Sequence, residues 1–148
     1  MKIVIDTNVL INGFKDEYSY EKKIIDAVIA GEIEAYANRQ TLRENKLIAR
    51  QLIDNDEYQR ELNNLFGQIN WVVNKRQIRI VRDEEDNKIL ESAVEAGAEY
   101  LISSDNDLLQ LYEYQNVKIV RPAEFWVKYK DEGMDWWKAM TNFVKSKN

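Results

Sequence analysis

Short runs of apolar, mostly β-branched or aromatic residues recur at Ile3 to Ile5, Ile33 to Ala37, Trp71 to Val73, Tyr100 to Ser103 and Val117 to Val120. Their length suits strands, and the first is apolar at every position, as expected of a strand buried on both faces. Between most of them the apolar positions change to helical spacing, over Tyr20 to Gly31, Arg39 to Asp54, Glu57 to Phe66, Glu84 to Gly97, Asp107 to Tyr112 and Ala123 to Tyr129. This alternation predicts an α/β fold with a mainly parallel sheet of about five strands and helices on both faces. Gly31, Gly67 and Gly97 fall where C-terminal caps belong, and the only proline, Pro122, suits the first turn of the helix after the last strand. From Lys130 onward the pattern reads as an appended helix, with Trp136, Met140 and Phe143 at i, i+4 and i+7. The expected division is a body over 1–129 and a helical extension over 130–148. Its apolar stripe is expected to pack on that body, with a partner as the minority reading.

Composition narrows the chemistry. The chain has 148 residues, 45% of them hydrophobic, enough for one core. Lys and Arg number 21 against 26 Asp and Glu, a net charge of -5, so an anionic substrate must be held locally or through cations. There is no cysteine and no histidine. That removes disulfides, thiolate nucleophiles, Ser-His-Asp and Cys-His chemistry, the usual imidazole base and the commonest metal ligand. Carboxylates, Lys, Tyr, Ser and Thr remain. No stretch approaches the ~20 apolar residues of a membrane span, and the opening lacks the regions of a signal peptide. A cytoplasmic protein with no membrane partner is the expectation.

Four acids stand out by position. Asp6 directly ends the run Ile3-Val4-Ile5, and in open α/β sheets ligands gather outside the carboxyl ends of such strands. The alternative is a strand terminator that binds backbone amides. Asp105 repeats the situation after Tyr100-Leu101-Ile102-Ser103-Ser104, and parallel neighbouring strands would bring it to the same edge. Its alternative is a helix cap, and Asp107 reads either as a ligand or as a first-turn acid. Asp86, in Asp83-Glu84-Glu85-Asp86-Asn87-Lys88-Ile89-Leu90, shares a helix face with Ile89, Leu90 and Ala93, where an ionised acid is costly unless paired or bound to a cation. Asp83 is better explained as the N-cap. Glu44 lies at the border of an apolar arc between Leu47 and Ile48, on a helix whose Arg39, Arg43, Lys46 and Arg50 form a basic stripe. Such a stripe is usually a solvated face; beside an acidic metal site it would hold a phosphate backbone.

Taken in order, these segments resemble the PIN-domain ribonucleases, especially the toxins of toxin-antitoxin pairs. The likeness runs from Lys2 to about Trp126 through Val4-Ile5-Asp6-Thr7-Asn8-Val9-Leu10, Glu44, Asp83 to Leu90, Tyr100 to Leu109, and Ile119-Val120-Arg121-Pro122-Ala123-Glu124-Phe125. It implies a three-layer α/β/α sandwich and a metal-dependent endoribonuclease. Asp6, Glu44, Asp86 and Asp105 would form the acidic cluster for Mg²⁺ or Mn²⁺, with Asn8 and Ser103 as supporting polar groups. Ser103 stands where the family often has threonine, a change that keeps the hydroxyl. The resemblance also implies an RNA substrate, a cognate antitoxin protein and, because dimers are frequent in the family, a homodimer. Hard divalent cations take oxygen ligands and activate a bound water, so the chemistry needs no histidine. Two other readings compete: a non-catalytic PIN-like module that binds RNA or protein, and a phospho-accepting receiver-like domain, which shares little beyond Asp6 and a parallel sheet.

Overall fold

The structure, a computed structural model, describes residues 1–41 and 55–146. Its six strands are β1 (Lys2–Ile5), β2 (Glu34–Asn38), β3 (Asn70–Val72), β4 (Tyr100–Ile102), β5 (Glu113–Tyr114) and β6 (Val117–Val120). They form one sheet in the order β3-β2-β1-β4-β6-β5, parallel except for β5. The strand beyond the expected five is β5, whose two residues are too short to show a period. It is turned back onto β6 by Gln115 and Asn116, both at positive φ.

The described helices are α1 (Thr7–Lys15), α2 (Tyr20–Ile29), α3 (Asp56–Gln68), α4 (Glu84–Ala96), α5 (Asn106–Leu109) and α6 (Pro122–Ser146). Helix α1 escaped the sequence pattern because Val9-Leu10-Ile11 sits only three residues beyond the β1 run and blurs into it. Residues 39–41 are helical, while the rest of the helix expected over Arg39 to Asp54 lies outside the described residues. Gly97 takes the left-handed conformation that closes α4, at φ 62°. Gly67 instead lies inside α3, so the cap expected there is not found. Gly13 has a different use: a Cβ there would meet Ile25 Cδ1 at 2.5 Å and the Glu21 backbone carbon at 3.1 Å, so any larger residue would force Ile25 to move and crowd the α1–α2 crossing.

Strand register explains the three layers. Val4 pairs with Leu101 and Leu101 with Ile119, a row that faces Ile89, Leu90 and Ala93 of α4 and Leu108 of α5. One residue on, Ile5, Ile102 and Val120 face the opposite layer, with Leu10 and Phe14 of α1, Ile24 and Val28 of α2, Leu65 of α3 and Phe125 of α6. The period of two in a strand therefore serves two cores at once. The fold is the α/β/α sandwich expected from the sequence.

Helix α6 is continuous through Lys130, so the expected extension is the second half of one helix rather than a separate element. Its first half is anchored by Phe125, buried against Tyr100 and stacked on Tyr129 at 6.0 Å. Beyond it, Met134, Trp137, Met140, Phe143 and Val144 are all exposed. The expected packing of the stripe on the body is thus not found at Met140 and Phe143; the reason is length, since the helix outruns the sheet it starts against. No described helix is long and apolar enough to cross a membrane.

Candidate active site

The β1–β4 register sets the site. Because Ile5 pairs with Ile102, the next residues, Asp6 and Ser103, leave the sheet side by side; the Asp6 N–H still donates to Ile102 O, and the Ser103 N–H to Val120 O. Alternation turns both side chains toward the α4 layer, the side already taken by Val4 and Leu101. The buried Ser103 hydroxyl donates to Asp6 Oδ2 at 2.8 Å and accepts from the Asp105 N–H at 3.0 Å. One hydroxyl thus ties the two strand-terminal acids together.

Asp105 is the helix cap weighed as its alternative, and it also stands close enough to the other acids for its charge to reach them. Its Oδ1 accepts from the Asp107 N–H at 2.8 Å, capping α5, while its charge bears on Asp6 and Asp86. Asp107 is exposed, and its amide rather than its carboxylate touches Asp105. Asp86 comes from the other direction. Helix α4 starts at the carboxyl edge of the sheet, capped by Asp83 through the Glu85 N–H, and the apolar face carried by Ile89, Leu90 and Ala93 brings Asp86 inward in the first turn. There it is only 6% exposed.

Electrostatics distinguishes this cluster from ordinary caps. Burial pushes the Asp86 carboxyl up to about 7, and the neighbouring charges of Asp105, Asp6 and Asp83 add to the shift. Asp6 is also raised, by burial first; the Ser103 hydroxyl and the Thr7 backbone oppose the rise, and the charges of Asp105 and Asp83 reinforce it. With Asp86 and Asp105 both ionised, nothing among the described residues donates to Asp86 Oδ2, which is buried without a partner. An orphaned buried oxygen facing other carboxylates fits a hard divalent cation, which takes oxygen ligands and keeps several waters. Among the described residues no group of three His, Cys, Asp or Glu side chains stands in ready ligand geometry, so the cluster is not a closed cage.

The other expected contributors fare differently. Asn8 is exposed in the first turn of α1, and its side chain hydrogen-bonds no described residue. Glu44, Arg43, Lys46 and Arg50 lie outside the described residues. Arg39 is exposed, its guanidinium 5.2 Å from the centre of the half-exposed Trp71 ring. Asp83, read from sequence as a cap alone, is a cap whose charge also reaches Asp6 and Asp86. Its signal was the acidic run itself, in which only helical phase separates inward from outward acids.

Comparison with known proteins identifies the family. The chain is similar to an uncharacterized protein of Methanocaldococcus jannaschii, 27% identical over 139 residues that cover 84% of this chain and 89% of the relative. No solved structure matches it. A family model described as PIN domain matches residues 2–107, a span that takes in β1, α4, β4 and each of Asp6, Asp86, Ser103 and Asp105. With that span covering well over half its length, the chain belongs to the PIN domain family.

Proposed function

We propose that this protein is a divalent-cation-dependent endoribonuclease that hydrolyses RNA phosphodiester bonds. The observation that carries the reading is Asp86: a buried carboxyl raised to about 7, its Oδ2 without a donor when it and Asp105 are both ionised, with the charges of Asp6 and Asp105 bearing on it and no cation among the described residues to balance them. Asp6, Asp86 and Asp105 would hold Mg²⁺ or Mn²⁺, with Glu44 as a further ligand carried by the family resemblance. When bound, such an ion lowers the pKa of a coordinated water and offsets charge on the phosphate. Ser103 fixes the Asp6 carboxylate and the Asp105 backbone, so that two of the acids keep their places before any ion arrives. Burial of Asp6 and Asp86 keeps their charges unscreened, which strengthens their hold on a cation.

PIN domains are typically nucleases; the role of toxin, restrained by an antitoxin protein, is the finer part of the proposal. The exposed apolar side chains of Met134, Trp137, Met140 and Phe143 on α6 support a partner-binding end. The test is cleavage of single-stranded RNA by the purified protein with Mn²⁺ or Mg²⁺, and its loss on chelation and in Asp6→Asn and Asp86→Asn. Unchanged, chelator-insensitive cleavage in both variants would overturn the reading.

A further inference from the structure

Between β3 and α4 the chain runs through Val73-Asn74-Lys75-Arg76-Gln77-Ile78-Arg79-Ile80-Val81-Arg82 without regular structure. We propose that Lys75, Arg76, Arg79 and Arg82 make this strap a track for the phosphates of a single RNA strand on its way to the acidic cluster. The proposal rests on the nuclease reading and adds to it the surface that holds the substrate.

The strap is fastened to one face of α4. The Lys75 N–H donates to Glu95 Oε1 at 3.1 Å, the Ile78 N–H to Glu91 Oε1 at 2.7 Å, and the Ile80 and Val81 N–H groups to Asn87 Oδ1 at 3.1 and 3.0 Å. Asn87 Nδ2 returns a bond to Val81 O at 2.8 Å, and Ser92 Oγ donates to Asn74 Oδ1 at 3.2 Å. Glu95, Glu91 and Asn87 are four residues apart, so each fastening lies about one turn nearer the start of the helix, and the strap covers ~12 Å of its length. It therefore runs against the helix and arrives at Asp83, whose charge bears on Asp6 and Asp86. The far end is pinned by Arg76 Nη1 on Gln115 Oε1 at 3.0 Å.

Fastening explains the amides, Ile78 and the buried Glu91, but it leaves the cations unexplained. A strap that only closed the core would need its inward amides and Ile78, which is buried against α4 and the sheet. Instead it carries four cations in eight residues, with no acid among them, on a chain of net charge -5. All four are exposed, and none is ion-paired with a described carboxylate. A row of cations held on a fixed backbone and leading to clustered carboxylates is what a phosphate backbone requires from an otherwise acidic protein.

The test uses full-length Asp86→Asn in a chelating buffer, so that binding is read without cleavage. The probe is a fluorescein-labelled 12-nucleotide oligouridine, and anisotropy is followed across a salt series. Arg79→Gln with Arg82→Gln is expected to weaken binding at least ~10-fold and to flatten the plot of log affinity against log salt by about 1.4, at ~0.7 per phosphate contact. Lys128→Gln with Lys130→Gln, on α6, is expected to leave both unchanged. A Gln variant at all four strap positions that keeps the parent circular dichroism spectrum, affinity and salt slope overturns the strap. So does equal affinity for a duplex DNA of the same length. Cleavage of the oligouridine by the unmodified chain with Mn²⁺ is read separately: strap-dependent binding without cleavage removes the nuclease reading and leaves the strap standing, and cleavage with strap-independent binding does the reverse.

Discussion

Lys22 in α2 and Asp86 in α4 are both ionisable side chains taken almost out of water, at 7% and 6% exposure, yet their surroundings are opposite in kind. The Lys22 ammonium donates to Asp26 Oδ1 at 2.7 Å and to Glu61 Oε1 at 3.2 Å. Burial pulls its pKa down, but those two hydrogen-bonded acids more than offset that and hold it above the usual lysine value. Around Asp86 burial and the charges of Asp105, Asp6 and Asp83 all act in the same direction, against ionisation. A charge closed by partners of its own chain is a structural device. One left open among like charges lowers stability unless something from outside completes it, which is the physical sense in which the Asp86 cluster is a candidate site and the Lys22 cluster is not.

The largest expected difference between the two is in activity. Asp86→Asn should lower divalent-dependent RNA cleavage by at least ~100-fold, beyond what loss of a supporting group costs, whereas Lys22→Met should leave the specific activity of folded protein unchanged. Initial rates at matched folded concentrations check this; a similar loss in both would erase the distinction. Next is the response to metal. Mn²⁺ at about 100 times its Kd should stabilise the unmodified chain by ~2.7 kcal/mol, visible as a rise in Tm, and should have much less effect on Asp86→Asn.

Lys22→Met comes third, at a cost of about 1–3 kcal/mol by denaturant titration, because two charge-assisted hydrogen bonds are lost while Asp26, 59% exposed, can return to water. The smallest effect has the opposite sign. Asp86 is held above its unfolded value of 3.8, at about 7, so the protonated form fits the fold; in metal-free protein its contribution is fully present below pH ~4 and is lost as pH rises through 7. Asp86→Asn should therefore raise the metal-free Tm by a few degrees at pH 8, with the gain shrinking toward pH 5. A metal-free Tm lowered at pH 8 in this variant would mean that the ionised carboxylate is satisfied after all.

The strand-terminal acids show how legible the site was. Asp6 and Asp105 were visible because each ends an apolar run, and the sheet order, with β4 beside β1, turned that likeness into proximity. Asp86 was visible through helical phase, since its neighbours at i+3, i+4 and i+7 are apolar and do pack on the sheet. The Ser103 hydroxyl could be named from resemblance, but its bond to Asp6 spans 97 residues and follows only from register. The strap was not legible at all, because an irregular segment has no period. Its cations acquire a direction only from the acceptors Glu95, Glu91 and Asn87 that α4 presents to it.

By itself the sequence narrowed which chemistry was open to this protein: without histidine or cysteine, a reaction centre has to be built from carboxylates, hydroxyls and lysine amines, and the apolar periods decide which acids end strands and which face inward from a helix. Tertiary structure decided what those acids do to one another. Burial and separation set a carboxylate's charge state, and both are properties of register and packing across the sheet, which local pattern does not contain.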